Sequence, residues 1–212
     1  MPKLGTQAGR LAAFLVAGIA LTSCKIERQA RVEDIWVAQA AGLITPPKGK
    51  TLPIIRGTTI ETLPDTPHVR LAIARDVEWS QVRALRKQIL DAGKTPYFIV
   101  ADDRKVGALA LYEELQGDAI DVFVSVGGKL CVAPPNSPEA KCVQRGDKLH
   151  VDRAFTRELV REAVGAYGLH DVLVKIPPDL GWGDVARAVD GARTCCLLDD
   201  RKDNDVIRVR LK

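Results

Sequence analysis

Beyond Pro67 the chain alternates between two hydrophobic periods. Val69, Leu71 and Ile73 alternate with less apolar neighbours, and so do Val172, Val174 and Ile176, which is the period of a strand with one buried face. After each strand the spacing lengthens. Val82, Leu85, Ile89 and Leu90 form one apolar stripe at helical spacing, and Val185, Ala188, Val189 and Ala192 form another. A strand is then expected to return at Tyr97 to Ala101 and at Cys195 to Leu198, with closing strands at Ala108 to Leu111 and at Val206 to Leu211. Parallel crossovers of this kind are right-handed.

The two stretches share residues as well as rhythm. Val69 to Val82 and Val172 to Val185 carry Val, Ile, Asp, Trp and Val at the same spacing, and Asp102-Asp103-Arg104-Lys105 reappears as Asp199-Asp200-Arg201-Lys202. The offset falls from 103 to 97 between these matches, so the first copy holds six extra residues, and an internal duplication accounts for the common order of elements. The second copy has a longer preface. Ile120 to Val126 alternates, Gly127-Gly128 reads as a turn, and Lys129 to Val132 reads as the partner strand of a hairpin. A helix follows from about Phe155 to Tyr167, with Gly168 near its end. The expected fold is α+β, a mixed sheet with helices packed on one face.

The N-terminal stretch has a different pattern. A basic start with Lys3 and Arg10 precedes the apolar run Leu11 to Leu21, the layout of a secretory signal peptide. That run is shorter than the ~20 residues that span a bilayer as a helix. Thr22-Ser23-Cys24 closes it, and Leu21 to Cys24 resembles a bacterial lipobox, which implies that Cys24 is lipidated and becomes the mature N-terminus. In the sorting rule of such lipoproteins, Asp after the Cys retains the protein in the inner membrane. Lys25 stands there, so periplasm-facing attachment to the outer membrane is expected over the inner. From Lys25 to Pro67 the chain is polar and interrupted by Pro46, Pro47, Pro53, Pro64 and Pro67, and reads as a tether. The expected division is therefore residues 1–23 signal peptide, 24–67 lipidated Cys and tether, 68–116 partial first repeat and 117–212 main domain.

Composition narrows the chemistry. Of the 212 residues 46% are hydrophobic and 27% charged, which excludes wholesale disorder and collagen-like repetition. Lys3 and Arg10 account for two of the four formal positive charges, and the remaining +2 gives no argument for nucleic acid. Export places Cys131, Cys142, Cys195 and Cys196 in an oxidising compartment, where Cys131 and Cys142, flanking one short loop, are a candidate disulfide. Adjacent Cys195 and Cys196 would face opposite sides of a strand, one of them inward. No Cys-x-x-Cys occurs and His68, His150 and His170 stand far apart, so no metal and no cofactor is assigned. Asp102-Asp103 and Asp199-Asp200 are each followed by Arg-Lys and read as self-neutralised turns, with Asp203, Asn204 and Asp205 the one place for weak Ca²⁺ affinity. Gly-x-Ser-x-Gly and phosphate-binding glycine loops are absent, and no residue is assigned as catalytic. Asp76 and Asp179, each three residues before a Trp that opens a helix, suit the positive helix end.

Residues 118 to 212 resemble the periplasmic domain of the ExbD/TolR family. The hairpin Ile120 to Val132, the Glu158-Leu159 helix leading into Val172 to Ile176, and the segment Asp179 to Arg193 carry the likeness. The resemblance implies an ExbD/TolR-like module with a partial internal repeat over residues 69 to 112, and a place beside proton-driven envelope motors in energy transduction or biopolymer transport. Members of that family carry a transmembrane helix whose Asp lies in the proton path. Here the apolar segment has no acid, so an accessory or passive role is expected. The implied function is non-enzymatic binding of another envelope protein, with a homodimer possible and a peptidoglycan-binding structural lipoprotein as the alternative. Trp79 and Trp182 either cap the core or stand exposed as anchors. Trp182, Val206, Arg208 and Arg210 are the candidate partner-binding residues, through strand addition at the last strand.

Overall fold

A computed structural model describes residues 43–101, 106–109, 118–125, 127, 129–135, 137, 139–143, 150–196 and 208–211. Cys24, residues 1–23, Asp102 to Lys105, Asp199 to Asp205 and Val206 lie outside them.

The architecture is α+β, with nine strands in two mixed sheets and three helices among the described residues. One sheet runs in the order β1 (Thr51–Ile54), β2 (His68–Ile73), β3 (Thr95–Ala101) and β4 (Val106–Leu109), parallel except for the last pair. The connection from β2 to β3 is α1 (Trp79–Asp91), as its stripe predicts: Val82, Leu85 and Ile89 are buried, and Leu90 is half-buried. The helix ends in a left-handed Gly93 (φ 69°), where the Gly93 N–H donates to the Leu90 carbonyl and the Lys94 N–H to the Ile89 carbonyl. This is a Schellman ending, and glycine takes the positive φ without a Cβ penalty.

The second sheet has the order β7 (Lys141–Val143), β6 (Leu130–Ala133), β5 (Ile120–Val124), β8 (Asp171–Lys175) and β9 (Arg208–Leu211). Here β7, β6 and β5 are antiparallel, and β5, β8 and β9 are parallel. Period-two alternation decides the faces: Ile120, Val122, Val124, Val172, Val174 and Val209 point into the core. Two helices lie side by side against this sheet, α2 (Arg153–Tyr167) over β5 and β6 and α3 (Trp182–Arg193) over β8 and β9. The Asp152 side chain caps α2 by accepting the Phe155 N–H, and Gly168 (φ 67°) ends it.

The sheets meet where the chain enters α1 and α3. Glu78 and Gly181 form an antiparallel bridge. The Trp79 N–H donates to the Leu180 carbonyl at 2.8 Å, and the Trp182 N–H to the Val77 carbonyl at 2.7 Å. The Ser80 N–H donates to the Pro178 carbonyl at 2.8 Å, and the Gly183 N–H to the Arg75 carbonyl at 3.0 Å. Donors and acceptors in each pair are related by the same offset of 103 that relates the matching sequence segments. Close approach here excludes a side chain at Gly181, whose Cβ would stand 2.8 Å from the Arg75 carbonyl oxygen. Phe98 and both tryptophans fill the space behind the crossing, within one hydrophobic cluster that draws on both sheets.

Four expectations are corrected. The single mixed sheet is two sheets, because the crossing separates β1 to β4 from β5 to β9. Within the stretch read as a tether, Thr51–Ile54 forms β1, whose Pro53 is tolerated because the strand lies at an edge. Cys195 and Cys196 sit in the turn after α3 rather than on a strand, and β9 itself returns beside β8. Trp182 has no exposed surface, so it packs the core and is not a surface anchor.

Candidate functional site

Strand edges are where a mixed sheet can accept another chain, because each offers a row of backbone donors and acceptors. The four edges are not equivalent. β1 carries Pro53, which has no N–H. β4 is met by Ile44, which exchanges two 2.9 Å backbone hydrogen bonds with Ala108. β7 is three residues long and fastened twice, by a disulfide between the register partners Cys131 and Cys142 and by a 2.8 Å ion pair from Lys141 to Glu162 on α2. β9 pairs with β8 on one side, and, as for β1 and β7, no described residue pairs with the other.

The face of the second sheet away from the helices is ordered by charge. Arg208 lies opposite Asp171 in the register, and its Nη2 donates to Asp171 Oδ2 at 2.7 Å. Arg210 lies opposite Leu173, which in turn lies opposite Asp121. Lys175 Nζ donates to Asp121 Oδ2 at 2.7 Å and stands 4.5 Å from the centre of the Phe123 ring. Cys142, Cys131, Phe123 and Lys175 form the next cross-strand row. Thus Arg208 and Arg210 share one face of the edge strand, while Val209 is buried on the other. Arg210 Nε is enclosed and has no hydrogen bond among the described residues.

The buried Asp190 and the half-buried Asp184 serve other purposes. Asp190 is fully buried between Arg193 and Arg153, tying α3 to α2, and Gly191 beside it lets the helices approach: a Cβ there would stand 2.7 Å from the Arg153 carbonyl oxygen and from the Thr156 Cβ. Asp184 accepts from the Val151 N–H at 3.0 Å and from Arg187 at 2.8 Å, with His150 Nδ1 at 3.3 Å. Each is committed to holding two elements together. Asp76 and Asp179 are exposed on the turns before α1 and α3. Among the described residues no three His, Cys, Asp or Glu side chains gather as a ligand set. A cleft of about 230 Å³ opens between α1, β3 and β4, lined mainly by Ile44, Leu90, Pro96, Phe98 and Leu109.

Of the predicted partner-binding residues, the fold therefore brings Arg208 and Arg210 together on the open edge, removes Trp182 to the interior, and leaves Val206 outside the described residues. Sequence reasoning missed the Asp190 to Arg193 and Arg153 network. Its one visible signal was an Asp-Gly inside an otherwise apolar helical stripe. No helix among the described residues is long and apolar enough to cross a membrane. No family model, no curated protein and no solved structure matches the chain.

Proposed function

We propose that this protein is an exported lipoprotein, anchored through Cys24, that acts without catalysis by capturing an extended, acidic segment of another envelope protein on β9. The observation that carries the reading is the edge itself: no described residue pairs with the outer side of β9, and the strand presents two arginines on a single face. Backbone pairing supplies affinity in such strand addition, and side chains on alternate positions supply specificity. Two copies pairing antiparallel about Val209 would set Arg208 of each against Arg210 of the other. That repulsion argues for an acidic partner over a homodimer.

The likeness of residues 118 to 212 to the ExbD/TolR periplasmic domain suggests the setting, an accessory role beside an energy-transduction or transport system of the envelope, with the protein facing the periplasm from the outer membrane. Reciprocal hydrogen bonds whose donors and acceptors repeat at an offset of 103 support a duplicated module as the origin of the two halves. The cleft is mostly apolar, with Arg86, Thr95 and Tyr97 as its polar lining, and a peptidoglycan-binding structural lipoprotein is the alternative reading.

In-cell cross-linking of the tagged full-length protein, with mass spectrometry of what co-purifies and sacculus pelleting in parallel, tests the reading. An envelope protein should be recovered without pelleting, and Arg210→Glu should reduce its recovery at least tenfold. Pelleting with no protein partner would replace the adaptor by a wall-binding lipoprotein. A partner captured equally by Arg210→Glu would remove β9 as its site.

A further inference from the structure

We infer that the disulfide between Cys195 and Cys196 is a site of reversible thiol–disulfide exchange whose reductant is a dithiol. The two sulfurs are bonded in the turn that follows α3. A disulfide stabilises a fold chiefly by closing a loop in the unfolded chain, and the effect grows with the length of that loop. Cys131 and Cys142 are 11 residues apart and join two strands in register. Cys195 and Cys196 are neighbours and enclose no intervening residue, so their bond removes essentially no freedom from the unfolded chain. Turn formation does not require it either. At the matching exit of α1 the chain turns through Ala92 and Gly93 without a cysteine. Neither loop closure nor turn geometry accounts for the pair.

Burial sets the direction of attack. Cys195 is 3% exposed and packs in the core, whereas Cys196 is half-buried and is the sulfur a solvent-borne thiolate can reach. A thiolate of the reductant attacks Sγ of Cys196. The Cys195–Cys196 bond breaks, its electron pair leaves on the Cys195 sulfur, which takes a proton, and a mixed disulfide to Cys196 forms. The reductant's second thiolate then attacks its own sulfur in that mixed disulfide, and Cys196 leaves and is protonated. The dithiol departs as a disulfide, and the protein has gained two electrons and two protons.

Adjacency also selects the substrate class. In the mixed disulfide the Cys195 thiol is the residue next door, so its effective concentration against a monothiol adduct is high, and it expels the monothiol and restores the original bond. Only a reductant carrying its own second thiol competes with that return.

Oxidised full-length protein would be titrated with dithiothreitol and, separately, with reduced glutathione, quenched in acid and differentially alkylated for peptide mass spectrometry. Cys195 and Cys196 should be half-reduced at a dithiothreitol concentration at least tenfold below that opening Cys131–Cys142, while glutathione leaves no stable adduct. Treated with glutathione disulfide after reduction, Cys195→Ser should retain a glutathione adduct on Cys196, whereas native protein treated the same way sheds it as Cys195 displaces glutathione and re-forms the bond. Opening of Cys131–Cys142 first, free thiols at 195 and 196 in protein isolated without reductant, or an equal glutathione adduct on native and Cys195→Ser protein would each overturn the inference.

Discussion

Trp79 and Trp182, 103 residues apart, stack with ring centroids 6.3 Å apart and planes inclined by 14°. Both are buried, and both backbone N–H groups reach across to the other half of the molecule. The stack is the apolar floor beneath the crossing of the two helix entries, and its energetics are testable.

Trp182→Ala should cost about 3–5 kcal/mol, the range for deleting a large buried aromatic side chain. Chemical denaturation would show it as a lower midpoint at unchanged slope. An unaltered midpoint would mean that the ring is not in the core.

Replacing Gly181 by Ala forces a Cβ to 2.8 Å from the Arg75 carbonyl oxygen, which is backbone and cannot rotate away. A loss of about 1–3 kcal/mol is expected from such overpacking. Gly165 on α2 is the control, since nothing lies within 4 Å of its Cβ. There Ala should raise stability by up to ~1 kcal/mol through helix propensity.

Loss of the Cys131–Cys142 bridge in Cys131→Ala/Cys142→Ala should lower stability by about 3 kcal/mol under oxidising conditions, from the loop it closes. In strong reductant the variant and the native protein should unfold at nearly the same denaturant concentration. A gap that persists there would assign the effect to packing instead.

Asp190→Asn leaves the buried Arg193 facing an amide in place of a carboxylate. Breaking a buried pair from one side costs about 3–5 kcal/mol. Thermal unfolding should register the loss in Asp190→Asn, whereas Asp91→Asn, which removes an exposed pair to Lys87, should fall within about 0.5 kcal/mol of native.

The Lys141–Glu162 pair makes a pH prediction of fixed sign. Hydrogen bonding to Lys141, and then its charge, hold the Glu162 carboxyl below its ordinary range, and the same contacts raise Lys141. The carboxylate's contribution is therefore present above the ordinary Glu value of about 4.3 and fades as pH falls through the lowered one. The lysine's contribution is present below about 10.4 and is lost as pH rises through its raised value. NMR titration should show the Glu162 midpoint rising in Lys141→Met, and the difference should shrink in high salt because the pair is fully exposed.

Helices were the most legible part of this fold, because each buries one stripe that can be counted locally. The α2 helix spans Arg153–Tyr167 where about Phe155 to Tyr167 was expected, and its glycine ending stands at Gly168. Strand identity was legible where alternation was strict, as in Ile120–Val124 and Asp171–Lys175. What the pattern could not convey was partnership. Thr51–Ile54 reads as polar linker until β2 lies beside it, and Cys195 and Cys196 read as strand residues because apolar side chains on a buried turn have no distinguishing period. The division into two sheets depends on backbone hydrogen bonds between segments about 100 residues apart, such as Trp79 to Leu180 and Trp182 to Val77, and local periodicity carries no record of those. Arg208 and Arg210 were assigned to an edge because they lie on the last strand. For Trp182 the sequence leaves core capping and an exposed anchor both open, and its burial follows from the crossing.

The crossing has a consequence for how the chain can be divided. Val77 and Arg75 supply acceptors to α3, and Leu180 and Pro178 supply them to α1, so each half completes the helix entry of the other. A cut between Leu109 and Asp118 would separate the two at the one place where they are joined in sequence, and would leave each piece with unanswered amides and a bare tryptophan face. Those pieces are complementary fragments. The two halves should therefore melt as one cooperative unit, with a single transition in calorimetry.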